Sequence, residues 1–179
     1  MIRSVDVDGL LLTMPAGWWV WKYDDSAFHR NQFQSFAGGS KAVDAVALAQ
    51  DGSLWLIEVK DYRQQRRRKP SSVFDEVAAK VRSTLAGLAT ARARANDHAE
   101  RNMAHAAMGC AQIRVALLLA QPVKPSRLFP QLMDPADAQL ELRRAVRSVD
   151  PRALCAAGAV GKDRLPWSTI AVATAGGRP

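Results

Sequence analysis

An α/β fold with a central mixed β-sheet flanked by helices is what three stretches of this sequence predict. Residues 42–62, A-V-D-A-V-A-L-A-Q-D-G-S-L-W-L-I-E-V-K-D-Y, read as two short apolar strands joined by a turn at Asp51-Gly52-Ser53. Residues 73–108 are alanine-rich, with Val77, Val81, Leu85 and Leu88 at a helical period. Residues 113–121, I-R-V-A-L-L-L-A-Q, are a nearly continuous apolar run closed by Pro122, the pattern of a strand buried on both faces. The helix between hairpin and run supplies the crossover that a parallel strand needs.

The hairpin carries the chemistry. Side chains alternate faces along a strand, so Leu54, Leu56, Glu58 and Lys60 share one face and Trp55, Ile57 and Val59 the other. Centring the turn on Asp51 sets position 44 opposite 58 and 46 opposite 56, with Cβ atoms of such pairs roughly 5 Å apart. That register needs a three- or five-residue loop, or a bulge. A two-residue Asp-Gly turn would shift it by one and separate Asp44 from Glu58. A carboxylate buried alone costs several kcal/mol, and two side by side repel. A divalent cation removes both problems, because hard cations take carboxylate oxygens. The plainer alternative, a solvated Glu58–Lys60 pair on a half-buried hairpin, leaves Asp44 unexplained.

Asp44, a turn, then Glu58-Val59-Lys60 at the end of an apolar strand resemble the D…(D/E)-x-K signature of the PD-(D/E)XK nuclease superfamily. Val43 stands where the family's name has proline. The resemblance covers residues 18–121 and implies a restriction-endonuclease-like core, with a C-terminal helix-strand elaboration, in a single domain over 1–179. It implies that Asp44, Glu58 and the carbonyl of Val59 hold Mg²⁺ or Mn²⁺. Lys60 would orient or deprotonate the attacking water and contact the phosphate. The reaction implied is metal-dependent hydrolysis of phosphodiester bonds, in DNA ahead of RNA, in repair, recombination or defence against foreign DNA. A catalytically inactive nuclease-fold module that binds nucleic acid or a partner protein is the alternative, and a homodimer stays open. Family members often add an early acidic residue, for which Asp25 and Asp24 are the options. Some add a polar residue on the following helix, for which Glu76 and Lys80 are the options.

Composition is compatible with this reading. Hydrophobic residues make up 48% and charged residues 23%, ordinary for a globular protein. No apolar run of about 18 residues predicts a membrane span, and the first fifteen residues, broken by Asp6 and Asp8, do not read as a signal peptide. Cys110 and Cys155 lack metal-ligand spacing and read as reduced, partly buried thiols, so a cytoplasmic protein is expected. Lys plus Arg number 25 against 17 acids, a net charge of +8 that suits a polyanionic partner. Arg63, Arg66, Arg67, Arg68 and Lys69 crowd into the exit from the second strand, placed to neutralise phosphates or simply to be solvated.

The remaining elements follow in order. Residues 4–13 alternate loosely and predict one strand ending at Met14-Pro15. Residues 18–23, W-W-V-W-K-Y, predict a strand whose tryptophans pack in the core. Asp25 or Ser26 caps a short helix ending at Gly38-Gly39, and His29 on it is structural or orients a phosphate. Ser71 or Ser72 caps the long helical stretch, with a break at Gly87 or at Asn96-Asp97. Lys80, Arg82, Arg92 and Arg94 are expected on its exposed side. An Asp134 cap with Pro135 in the first turn predicts a helix over 134–149. The alanine-rich 153–160 segment reads as helical, and 168–173 as a last strand.

Overall fold

The computed structural model describes residues 3–63, 67, 70–122, 124–128, 130–158, 160 and 165–172. The chain begins with a hairpin of β1 (Ser4–Val7) and β2 (Leu10–Thr13), where the sequence suggested one strand. Asp8 and Gly9 both have positive φ, 51° and 77°, as a two-residue Asp-Gly turn requires. The Asp6 carboxylate accepts from the Gly9 N–H at 3.0 Å. β3 (Trp19–Lys22), β4 (Ala45–Leu48), β5 (Ser53–Asp61), α1 (Val73–Arg94), α2 (His98–Met108), β6 (Gln112–Ala120), α3 (Pro135–Ala145), β7 (Leu154–Gly158) and β8 (Ser168–Ala171) follow.

A five-stranded mixed sheet runs in the order β3-β4-β5-β6-β7. Its first two joins are antiparallel and its last two parallel. The fold is thus mixed α/β with a mixed sheet flanked by helices. Among the described residues, α1, α2 and α3 lie on one face. There Leu54, Leu56, Val115, Leu117 and Leu119 pack against Val77, Val81 and Leu88 of α1, Ala104 and Ala107 of α2, and Leu142 of α3. The other face, with Ala45, Ala47, Trp55, Ile57, Ala116 and Leu118, is covered by Val5, Val7, Leu10 and Leu12 of the antiparallel sheet β1-β2-β8. Among the described residues no helix is long and apolar enough to cross a membrane.

Two elements differ from expectation. The alanine-rich stretch after α3 is the strand β7, parallel to β6 from Ala116↔Leu154 to Ala120↔Gly158. So short a segment has little helical stability of its own, and pairing satisfies the backbone groups on the edge of β6. Between β3 and β4 the chain forms a single π-helical turn (His29–Phe33) and a 3₁₀ turn (Phe36–Gly38), not one helix. The Ser26 hydroxyl accepts from the His29 N–H at 3.2 Å just ahead of the π-helical turn, whose N-cap position, Phe28, has no side-chain cap bond. The Glu100 carboxylate of α2 reaches across to accept from the N–H groups of Ala27 and Phe28 at 2.7 and 2.8 Å.

The long helical stretch breaks at residues 95–97. Ser72 caps α1, and Asp97 caps α2 through the N–H groups of Ala99 and Glu100. Gly87 lies inside α1, because a Cβ there would sit 2.4 Å from the Tyr23 hydroxyl. Alanine in place of a helical glycine usually stabilises by about 1 kcal/mol, whereas overpacking a full core costs about 1–3 kcal/mol. Tyr23 is fully buried, so the clash wins. Gly87→Ala is expected to lower Tm in thermal unfolding, and a rise would show that Tyr23 can move aside. Of the tryptophans expected in the core, Trp18 and Trp21 pack against it half-buried and Trp19 joins neither cluster; Trp55 touches Trp18 and Trp167 at 5.9 and 5.5 Å between ring centroids, and Trp21 meets Tyr23 edge-on at 4.9 Å.

Candidate active site

The β4–β5 hairpin has a three-residue loop. Ala49 N–H donates to the Ser53 carbonyl (2.9 Å) and Gly52 N–H to the Ala49 carbonyl (3.1 Å). Gly52 takes the left-handed conformation at φ 79°, and Asp51 accepts from the Ser53 N–H. The register, Ala45↔Ile57 through Leu48↔Leu54, is the one centred on Asp51. One further step would set Asp44 across from Glu58.

At that step the ladder stops. Val43 N–H turns away to Thr84 Oγ1 of α1 at 2.9 Å. Val59 N–H donates to Asp44 Oδ2 at 2.7 Å. The side chain of Asp44 thus replaces a strand partner, and the Val59 carbonyl shares that freed side of β5. Tyr23 N–H donates to the Asp44 carbonyl at 3.1 Å, which draws the chain after β3 against the same point.

Glu58 is fully buried on the helical side of β5. Its Oε1 accepts from the ammonium of Lys60 and from that of Lys80, the latter at 2.6 Å. Its Oε2 is buried with no hydrogen-bond partner. Lys80 Nζ also lies 3.2 Å from Asp44 Oδ1, bridging the two acids. Lys80 is therefore not on the exposed side of α1, unlike Arg82, Arg92 and Arg94. It stands three residues after Val77 and four before Thr84, both buried, and that spacing puts it on the inner stripe. The helical period held the signal, but the charge suggested solvent.

Burial pushes the Glu58 carboxyl above the usual carboxylate range, and repulsion from Asp44 adds to this against the pull of the two lysines. For Lys80, burial opposes the charge, but attraction to Glu58 and Asp44 outweighs it and moves the ammonium upward. Of the two early acids, Asp24 is the one near the site. Its Oδ1 is buried without a partner, and burial followed by repulsion from Asp44 raises its carboxyl. Asp25 is exposed and paired with Lys22 at 3.0 Å. Glu76 is turned to Arg67, at 2.8 Å. His29 is buried 5.7 Å from the Tyr23 ring, and burial, then Lys80, lowers its imidazole.

The expected phosphate-binding run looks different in place. Arg63 is held by Asp61 through two hydrogen bonds of 2.9 and 2.7 Å. Arg67 is clipped to Glu76, the Tyr62 hydroxyl and the Ser71 carbonyl. Neither is a free cation; Arg63 closes on Asp61 at the exit of β5, and Arg67 ties that exit to the start of α1. Arg66, Arg68 and Lys69 lie outside the described residues. Cys110 and Cys155 are unpaired thiols, and burial pushes Cys155 up to about 12.

Among the described residues, no group of three or more His, Cys, Asp or Glu side chains is placed to hold a metal ion. The donors present suit a smaller demand. Mg²⁺ is often held by one or two carboxylates and keeps several waters. Asp44, the unpartnered Oε2 of Glu58 and the Val59 carbonyl are the hard oxygens that would hold such an ion.

A carboxyl raised on folding binds its proton more tightly in the folded state. Its stabilising contribution is complete below the unfolded value of about 4.5 and is lost as pH rises through the folded value. In metal-free buffer the Tm of the wild type should therefore fall over that window relative to Glu58→Gln. Parallel Tm–pH curves would contradict it.

No family model matches the chain, and no solved structure matches it. Over 115 residues it is 33% identical to a cysteine–tRNA ligase of Neisseria meningitidis (serogroup A / serotype 4A, strain DSM 15465 / Z2491). The match takes in 60% of this chain and 16% of that protein, so the chain resembles a small part of the ligase.

Proposed function

We propose that this chain is a metal-dependent phosphodiester hydrolase acting on DNA, built on a restriction-endonuclease-like core. The observation that carries the reading is Asp44 beside buried Glu58 where the β4–β5 ladder splits, with Lys60 on the same face and one Glu58 oxygen left without a partner. The order of strand, acidic hairpin, helix and parallel strand supports the core.

Asp44, Glu58 and the Val59 carbonyl would hold Mg²⁺ or Mn²⁺. Such an ion, when bound, lowers the pKa of a water and offsets charge gathering on the scissile phosphate. Lys60, about one-fifth exposed at the rim, holds a phosphate oxygen or steers the proton of the attacking water. The net charge of +8 favours a polyanion.

One observation favours a second reading, a nuclease-fold module that binds nucleic acid without cutting it. Lys60 and Lys80 already neutralise the acids without a metal. Likeness to part of a protein named for tRNA adds tRNA to the substrates worth offering.

The test is a panel of single-stranded, duplex and branched DNA, RNA and tRNA, incubated with Mg²⁺ or Mn²⁺. Metal-dependent cutting of DNA is expected from the wild type. It should be lost in Asp44→Ala and reduced about 10²–10⁴-fold in Lys60→Ala, the usual contribution of a positioned acid–base group. Binding without cutting, unaffected by Asp44→Ala, would establish the second reading instead.

A further inference from the structure

We propose that the Lys80 ammonium occupies the place of a second metal ion, so that the site takes one divalent cation and not two. The inference rests on the metal-dependent reading of the same site. In two-metal phosphodiesterases the ions stand roughly 3.5–4 Å apart, shared between carboxylates. Here the bridging position is taken: Lys80 Nζ is 2.6 Å from Glu58 Oε1 and 3.2 Å from Asp44 Oδ1.

The partners of Glu58 divide its two oxygens. Oε1 is closed off by the ammoniums of Lys60 and Lys80. Oε2, on a fully buried side chain, has none. One oxygen is spoken for by fixed cations and one is free for an added cation. That free oxygen sets the site apart from an ordinary buried ion pair, in which both carboxylate oxygens would be satisfied.

Charge balance points the same way. Asp44 and Glu58 set two carboxylates against the ammoniums of Lys60 and Lys80, and these four charges cancel. A single divalent ion adds two positive charges, which a substrate phosphate offsets in part. A second ion would concentrate four positive charges in a largely buried pocket, at a cost that grows as water is excluded.

The delivery of Lys80 is also rigid. It projects from the middle of α1, between buried Val77 and Thr84, and Thr84 is itself tied to the Val43 N–H beside Asp44. The helical backbone that presents the ammonium is thus held beside both acids.

Isothermal titration with Mn²⁺, together with electron paramagnetic resonance, reads the number of ions directly. The wild type is expected to bind one Mn²⁺ per chain with an uncoupled signal. Lys80→Ala and the near-isosteric Lys80→Met should bind two, with the exchange-coupled signal of a neighbouring pair. Lys80→Arg should return the count to one. Circular dichroism checks that each variant is folded, and either neutral variant suffices. Two ions in the wild type, or one in both folded neutral variants, would overturn the role of Lys80 while leaving the metal site standing. No binding by the wild type, or binding untouched by Asp44→Ala, would remove the metal-dependent reading and this inference with it.

Discussion

Glu58→Ala is expected to abolish metal-dependent cleavage and to lower Tm by about 6–12 °C in the same protein. The two effects share one cause. Glu58 is fully buried and supplies the oxygen on which Lys60 and Lys80 converge. Removing one partner of a buried pair strands the other and costs about 3 kcal/mol, and a protein of this size loses about 2–4 °C per kcal/mol. The Lys80 ammonium would retain only Asp44, and Lys60 would swing to solvent. Glu58→Gln separates the effects, since it keeps the shape and one acceptor but not the charge; it should lose cleavage with a smaller drop in Tm. Calorimetry and a cleavage assay on both variants check this. Cleavage surviving in either would show that the carboxylate is structural.

Leu117→Ala should be comparably damaging although it carries no chemistry. Leu117 is fully buried at the centre of β6, paired on one side with Glu58 and on the other with Cys155. Deleting a buried leucine to alanine costs about 2–5 kcal/mol, more where the cavity cannot collapse. A sheet pinned by parallel neighbours on both sides has little room to do so. Paired residues share a face, so the cavity would open beside Glu58 and let water approach it. Its carboxyl should then move back toward the ordinary range, and the fall in Tm with rising pH should flatten. Denaturant unfolding gives the first number and the Tm–pH curve the second. A normal Tm would mean that neighbouring side chains refill the gap.

The core of the fold was legible because its signals are local. The Asp51-centred register follows from the spacing of Asp44 and Glu58 and from the need to place two acids on one face. The parallel strand follows from an apolar run that could not tolerate an exposed side. What was not legible depends on tertiary neighbours. Alanine-rich β7 looked helical because alanine favours helices, but the open edge of β6 decides its state. Lys80 stood both as an option for the site and, by type, as a surface residue; the carboxylates that draw it inward come from β5 and from the residue before β4. Asp24 outranks Asp25 because the Tyr23 N–H pairs with the Asp44 carbonyl, a contact between segments that sequence spacing does not reveal.

The two faces of β5 give the protein two optical reporters. Trp55 on one face gathers Trp18 and Trp167 against the small antiparallel sheet, so three of the five indoles follow that layer, while Trp21 packs on the helical side. The opposite face holds the helices, so ellipticity at 222 nm follows the layer that frames Glu58 and Lys80. Both signals are anchored to a single strand. On heating, emission and ellipticity should change together if β5 couples the layers into one cooperative unit. A helical signal that faded first would identify the acid-bearing layer as the part of the molecule that loosens while the indole layer holds.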